Sequence, residues 1–338
     1  MKRNRSIAIL FVLAAIAGLA GTAWWMTAPG RPGSASPPEK MRIALTDYIG
    51  GGLVHVAAAK GYFAQEGLEV TLQLHTSGRD ALDAAIDGRT DLATVGDTPL
   101  MFAAMKGAPI SIVATIFSAG QAHGIVARRD RGIASPGDLA GKTVGTPFRT
   151  DGHFVTGVML SAYGKSLTSV RLENLRPEEL TEALASGRVD AISAWEPWID
   201  LARKAIGDNG VVFHTDRGFL FRFSLAGRKS WVDEHQEAVV SMLKALARAK
   251  DFATKEPDEF RALVIKSIGA NPSIFEPGGP SYRYEVRLDQ SLLIMLEDEA
   301  RWAINSNLVE GKELPNLLQV IDSRAIQAAI PGSVSIVR

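Results

Sequence analysis

Two segments almost a hundred residues apart follow one design. Residues 85–99 read AIDGRTDLATVGDTP and residues 184–197 read LASGRVDAISAWEP. Each has a helix end, a Gly-Arg-x-Asp turn, a short apolar strand and then an acidic residue close to a proline. Gly88, Arg89 and Asp91 match Gly187, Arg188 and Asp190 at a single offset of 99. That spacing is too long for a solenoid period. It fits two similarly built α/β lobes whose strand-end loops, Gly96-Asp97-Thr98 and Trp195-Glu196, face a ligand held between them. A lone Gly-Arg-x-Asp would mark only a common helix-to-strand turn. The agreement beyond the turn is what argues for a pair.

The chain opens with Lys2, Arg3 and Arg5 and then runs apolar from Ile7 to about Met26. A charged start followed by an apolar stretch marks export. Residues 1–26 read either as a cleaved signal peptide, with Gly21-Thr22-Ala23 at the cut, or as a retained anchor, since about 20 apolar residues span a bilayer. Residues 27–40, rich in Pro, Gly, Ser and Ala, read as a flexible linker. The expected location is periplasmic. No cysteine occurs in the chain, which removes thiol chemistry.

Residues 1–40 hold five of the 37 basic and one of the 37 acidic residues, so the remainder carries a formal charge of −4. A nucleic-acid partner is not expected, because phosphate binding needs a basic face. An anionic ligand would have to be held by local donors.

Strand, loop and helix alternate from Arg42 onward, the pattern of mainly parallel sheets with helices on both faces. Residues 41–118 are assigned to lobe one, 119–222 to lobe two, and 223–338 to a return strand and C-terminal helices on lobe one. The expected crossings lie near Ser118–Gln121 and Phe219–Leu225.

Three constellations could contact a ligand. In Phe148-Arg149-Thr150-Asp151-Gly152-His153 a strand gives way to a helix. Thr150 or Asp151 can cap it, its first amides favour an anion, and Arg149 adds a forked cation. Trp195-Glu196-Pro197-Trp198 ends a strand. There Trp195 offers a flat wall and Glu196 an acceptor, while Trp198 is expected in the core. Tyr48 and Gly50-Gly51-Gly52 precede a helix without dinucleotide or Walker spacing. Together with Ser77, Asp97 and Thr98 they form a ring of hydroxyls and amides at strand ends. The six histidines, including His123 and His153, show no metal-binding spacing. No nucleophile elbow is present. Neither a metal nor another cofactor is expected.

The runs GLVHVAAAKGYFAQEGLEV, TSGRDALDAAIDGRTDLATVGDTPLMFAAMKGAPI, DLAGKTVGTPFRTDGHF and ALASGRVDAISAWEPW resemble periplasmic solute-binding proteins of the nitrate/sulfonate/taurine type. These belong to the wider family that includes thiamine-pyrimidine-precursor binders. The resemblance implies an α/β, two-lobed, type II periplasmic-binding-protein fold with two hinge strands, acting as a monomer. It also implies a small organic anion in the cleft and delivery to the transmembrane subunits of an ABC permease, without catalysis. By position it places Tyr48, Gly51, Gly52, Ser77, Asp97, Thr98, Gln121, Arg149, Thr150, His153, Trp195 and Glu196 at the ligand. Relatives often have small or hydroxyl residues where this chain has Arg149 and Asp151. A neutral heterocycle, an aromatic acid, a membrane-tethered sensor or a pyrimidine-forming enzyme stay open as alternatives.

Overall fold

The computed structural model describes residues 37–215, 219–275 and 280–337. The expected signal peptide or anchor, and most of the linker, lie outside the described residues. The first strand already begins at Glu39, whose amide donates to Gly67 O at 2.9 Å.

Twelve strands form two sheets among the described residues. They are β1 (Glu39–Thr46), β2 (Leu68–His75), β3 (Leu92–Gly96), β4 (Ile110–Gly120), β5 (His123–Arg128), β6 (Thr143–Thr146), β7 (Arg171–Asn174), β8 (Ala191–Trp195), β9 (Gly210–His214), β10 (Leu220–Arg228), β11 (Ser281–Asp289) and β12 (Val334–Ser335). One sheet has the order β12-β11-β4-β10-β3-β1-β2 and the other β7-β6-β8-β5-β9. The chain passes from the first to the second between β4 and β5 and returns between β9 and β10.

The helices that matter here are α1 (Gly52–Ala59), α2 (Gly78–Ile86), α3 (Asp97–Met105), α4 (Asp151–Ala162), α5 (Pro177–Ala185), α6 (Trp198–Ile206), α7 (Gln236–Lys255), α8 (Pro257–Ile268) and α9 (Gln290–Asn305).

The offset repeat has a structural cause. In each lobe the turn glycine adopts a positive φ, +77° at Gly88 and +76° at Gly187, which a side chain would strain. The aspartate then ties its strand to the neighbouring one. Asp91 Oδ2 accepts from Arg42 N at 2.7 Å while Asp91 N donates to Arg42 O. Asp190 Oδ2 accepts from Thr143 N at 2.8 Å while Asp190 N donates to Thr143 O. The clasp fixes the register of β1 beside β3 and of β6 beside β8, so both lobes share a parallel trio, β2-β1-β3 and β7-β6-β8.

Beyond those trios the sheets are mixed rather than mainly parallel. Strands β10 and β4 run antiparallel to their neighbours in one sheet, and β5 does so in the other. The reason is connectivity: a strand arriving from the other lobe enters from the opposite end. Ser118, Ala119 and Gly120 belong to β4, where they pair with both β10 and β11, and are not a loop. The helix that follows Gly50-Gly51-Gly52 ends at Ala59, and Gly61 at φ +68° separates it from a short turn of helix over Tyr62–Gln65. The expected all-helical stretch after Lys229 contains β11, which packs Tyr282, Tyr284, Val286 and Leu288 in period two.

Helix α9 belongs to the larger core through Leu292, Leu296, Ala300 and Ala303, all fully buried. Its Trp302 stands edge-on to Phe102 of one lobe and to Phe154 and His153 of the other, at 6.2, 5.0 and 5.4 Å between ring centres. Gly157 makes room for that indole; any Cβ there would overlap it.

Candidate functional site

The C-terminal ends of β1, β3 and β8 and the starts of α2, α3 and α4 converge on a niche between the two sheets. It is lined by Thr46, Tyr48, Gly78, Arg79, Gly96, Pro99, Phe117, His123, Thr150, Asp151, Trp195, Phe221, Arg222 and Phe223. It leaves about 20 Å³ for the centres of water-sized spheres, room for about one water. Thr46, Tyr48 and Trp195 also border an outer chamber of about 810 Å³ that reaches Leu74, Trp198, Leu201 and Lys204.

One end of the niche is electropositive. Ser77 caps α2, its Oγ accepting from Asp80 N at 3.1 Å. The amides of Gly78 and Arg79 come first in that helix and so have no intrahelical acceptor. Arg79 borders the same end, and its guanidinium reaches across the lobes, Nη1 donating to Phe148 O at 2.7 Å while Nη2 pairs with Asp80 Oδ1 at 3.3 Å.

The other end is held by Asp151. Its Oδ1 accepts from Thr98 N, at the start of α3, at 3.1 Å, and its Oδ2 lies 3.6 Å from His123 Nε2. This is a second bond between the lobes, made by a carboxylate at a helix N-terminus, where the dipole favours it. Gly96 permits the approach, since the Asp151 Cγ lies only 3.0 Å from where a Cβ would stand.

Behind Thr98 sit two fully buried carboxyl groups. Asp97 Oδ2 accepts from Arg222 N at 2.8 Å, and Glu299 Oε1 accepts from Thr98 Oγ1 at 2.7 Å. Their other oxygens are buried with no hydrogen-bond partner among the described residues. Burial, together with the charge of Asp151, pushes Asp97 up to about 8 and Glu299 well above its ordinary value.

The remaining wall is aromatic. Tyr48 stands edge-on to Phe117 and Phe223 at 5.9 and 5.2 Å, and His123 bridges Tyr48, Trp195 and Phe221 at 6.3, 6.2 and 4.0 Å. Phe221 and Phe223 share one face of β10 by its period of two. Burial holds the Tyr48 phenol well above its usual pKa, so it stays protonated.

Of the residues singled out in the sequence, Tyr48, Thr150 and Trp195 line the niche. Thr150 occupies the N-cap of α4 but its Oγ1 donates to Pro147 O instead of capping. Ser77, Asp97 and Thr98 support the walls from behind. Gly51 and Gly52 are buried, Gly51 against His55, and at Gly52 the Tyr284 ring fills the space a side chain would take. Gln121, at φ +63°, sits in the first crossing outside the niche lining. Glu196 is half-buried and its Oε2 accepts from Asp200 N at 3.2 Å.

Arg149 lines a separate cavity of about 230 Å³ with Arg79, Asp83 and Lys106, because its backbone turns at φ +62°. His153 is packed between Phe148 and Trp302, accepts from Arg149 N at Nδ1, and is pushed down to about 4 by burial. Trp198 is half-buried: it borders the outer chamber and packs against the edge of the core. Sequence reasoning passed over Arg79, Phe117, Phe221 and Phe223 as niche residues. Arg79 follows a recognisable helix cap. The aromatic alternation in FLFRF was the signal for Phe221 and Phe223.

Two mixed α/β sheets joined by two crossings, with a niche walled from both, define a two-lobed type II periplasmic-binding-protein fold. The chain belongs to the NMT1/THI5-like family, whose model matches residues 52–260. It is 28% identical over 239 residues to a binding protein of Brucella abortus, covering 69% of this chain and 72% of that one. It is 27% identical over 224 residues to the taurine-binding periplasmic protein of Escherichia coli, covering 66% and 63%. Among solved structures it resembles the alkanesulfonate-binding protein SsuA from Xanthomonas axonopodis pv. citri bound to MOPS, with a TM-score of 0.73, 18% identity, and 85% and 99% of the chains covered. It also resembles the desulfurization enzyme DSZB, with a TM-score of 0.62, 15% identity, and 86% and 99% covered.

Proposed function

We propose that this protein is the substrate-binding component of an ABC importer. It captures a small organic anion, with a sulfonate first, between its lobes and delivers it to the transmembrane permease. The observation that carries the reading is the Arg79 end of the niche. There the half-buried Arg79 guanidinium, which also pairs with Asp80, and two helix-first amides offer donors of the kind a sulfonate's three acceptor oxygens take. The relatives named as taurine- and sulfonate-binding proteins support the same class. Residues Gln121 and Ala122 form one of two interlobe crossings and act as a hinge. The protein works in the periplasm, which the charged and apolar N-terminal segment supports.

The test is a thermal-shift and calorimetry screen of the purified protein against short sulfonates, carboxylates and nitrate. Binding to the native state raises the melting temperature by mass action. Sulfonates are expected to give the largest shift; no shift with any sulfonate would overturn the reading. A catalytic reading has one observation in its favour, the His123–Asp151 pair in the niche. Turnover of sulfonates or sulfinates by the purified protein would establish it.

A further inference from the structure

We infer that the niche selects a zwitterion, with its anion at the Arg79 end and a methylated ammonium in the aromatic box facing Asp151. This rests on the sulfonate reading above and adds the cation.

A carboxylate in the wall works against a plain anion, yet Asp151 lines this niche. Only one of its oxygens is engaged in a bond to the protein, from Thr98 N. The other has His123 Nε2 at 3.6 Å, beyond hydrogen-bond reach. Two anions held together in a small, poorly hydrated niche repel strongly. A cation placed between them removes that conflict.

Tyr48, Phe117, Trp195, Phe221 and Phe223 line the niche, and the ring contacts run from Phe117 through Tyr48 to Phe223 and through His123 to Trp195 and Phe221. Aromatic faces carry negative charge density and attract a desolvated cation. A carboxylate beside several rings is the arrangement that recognises an ammonium carrying alkyl groups.

The wall also separates methylated from primary ammonium. A primary ammonium brings three N–H donors, each costly to bury without an acceptor. Asp151 is the one carboxylate in this lining, beside five aromatic side chains, so a second and third N–H would lack an acceptor of its strength. A trimethylammonium has no N–H to satisfy, and its methyl groups pack on the rings. Such a ligand exceeds the room for about one water that the niche leaves, so the lobes must part and re-close around it.

The experiment is calorimetric titration of the full chain with N,N,N-trimethyltaurine, taurine, ethanesulfonate and choline, repeated on Asp151→Asn and Phe221→Leu with melting temperature as the folding control. Trimethyltaurine is expected to bind at least about tenfold tighter than ethanesulfonate. Asp151→Asn, which keeps an amide oxygen for Thr98 N, and Phe221→Leu should each remove most of that preference, read as the ratio of the two affinities so that any change in lobe closure cancels. Ethanesulfonate binding as tightly as trimethyltaurine overturns the inference and leaves the sulfonate reading standing. So does an equal loss for both in Asp151→Asn. Binding of choline without any sulfonate overturns the sulfonate reading and leaves the box standing. Binding of none of the four overturns both.

Discussion

A single methyl group at Gly96 should act as a wedge between the lobes. Gly96 has an ordinary φ of −76°, so Gly96→Ala introduces no backbone strain. The added Cβ would overlap the Asp151 carboxylate, whose Cγ and Oδ1 both lie at 3.0 Å when ordinary contact begins at 3.4 Å. The carboxylate has to withdraw, and the Thr98 amide, 3.1 Å from Oδ1, loses its acceptor. A hydrogen bond to a charged group contributes about 1.5–3 kcal/mol. The ratio of closed to open molecules should therefore fall about ten- to a hundredfold, and the apparent affinity for a sulfonate by the same factor. Both lobe cores are untouched, so the melting temperature without ligand should move by no more than a few degrees. Calorimetry gives the affinity, and small-angle scattering with and without ligand gives the compactness. Unchanged affinity with unchanged compactness would show that the Asp151–Thr98 bond does not hold the lobes together.

Two further outcomes follow from the site. Arg79→Ala should weaken sulfonate binding about ten- to a hundredfold, whereas Arg149→Ala, in its separate cavity, should leave it nearly unchanged; calorimetry showing the reverse would return the anion to the α4 end. Asp97 titrates near 8 in the folded protein against 3.8 in the unfolded chain, so between those values the folded state binds more protons and its stability falls as pH rises. Asp97→Asn keeps an acceptor for Arg222 N but removes that titration beside Glu299, Asp151, Asp289 and Arg222; its urea stability should change less between pH 5 and 8 than that of the parent. An undiminished slope would place the titration elsewhere.

The fold class was legible because its signals are local and repeated. Gly88 and Gly187 demand the same backbone turn, and Asp91 and Asp190 clasp the same pair of strands. What escaped the reading was non-local. Nothing near Leu220 announces that β10 runs against its neighbours, since that depends on where the chain re-enters the sheet. β11 did leave a trace, the alternation of Tyr282, Tyr284, Val286 and Leu288, hidden among helical periods. At the site, strand-end loops such as Tyr48, Gly96 and Trp195 could be located from patterns of two and 3.6. The facing of side chains could not. Asp97 turns inward because Arg222 N, 125 residues away, waits for it. Arg149 turns outward because its backbone is left-handed, which no pattern in Phe148-Arg149-Thr150 declares.

The size of the niche also sets a clock. With room for about one water in this arrangement, a solute cannot diffuse into it directly. Capture has to wait for a spontaneous parting of the lobes, so its observed rate should climb with concentration and then level off at the opening rate. The net charge of −4 beyond residue 40 offers an anion no long-range steering to shorten that wait. Stopped-flow mixing would show the plateau, and a rate still rising linearly at saturating solute would exclude it. Residence, rather than arrival, would then distinguish good solutes from poor ones, since the contacts each makes set how rarely the lobes part around it.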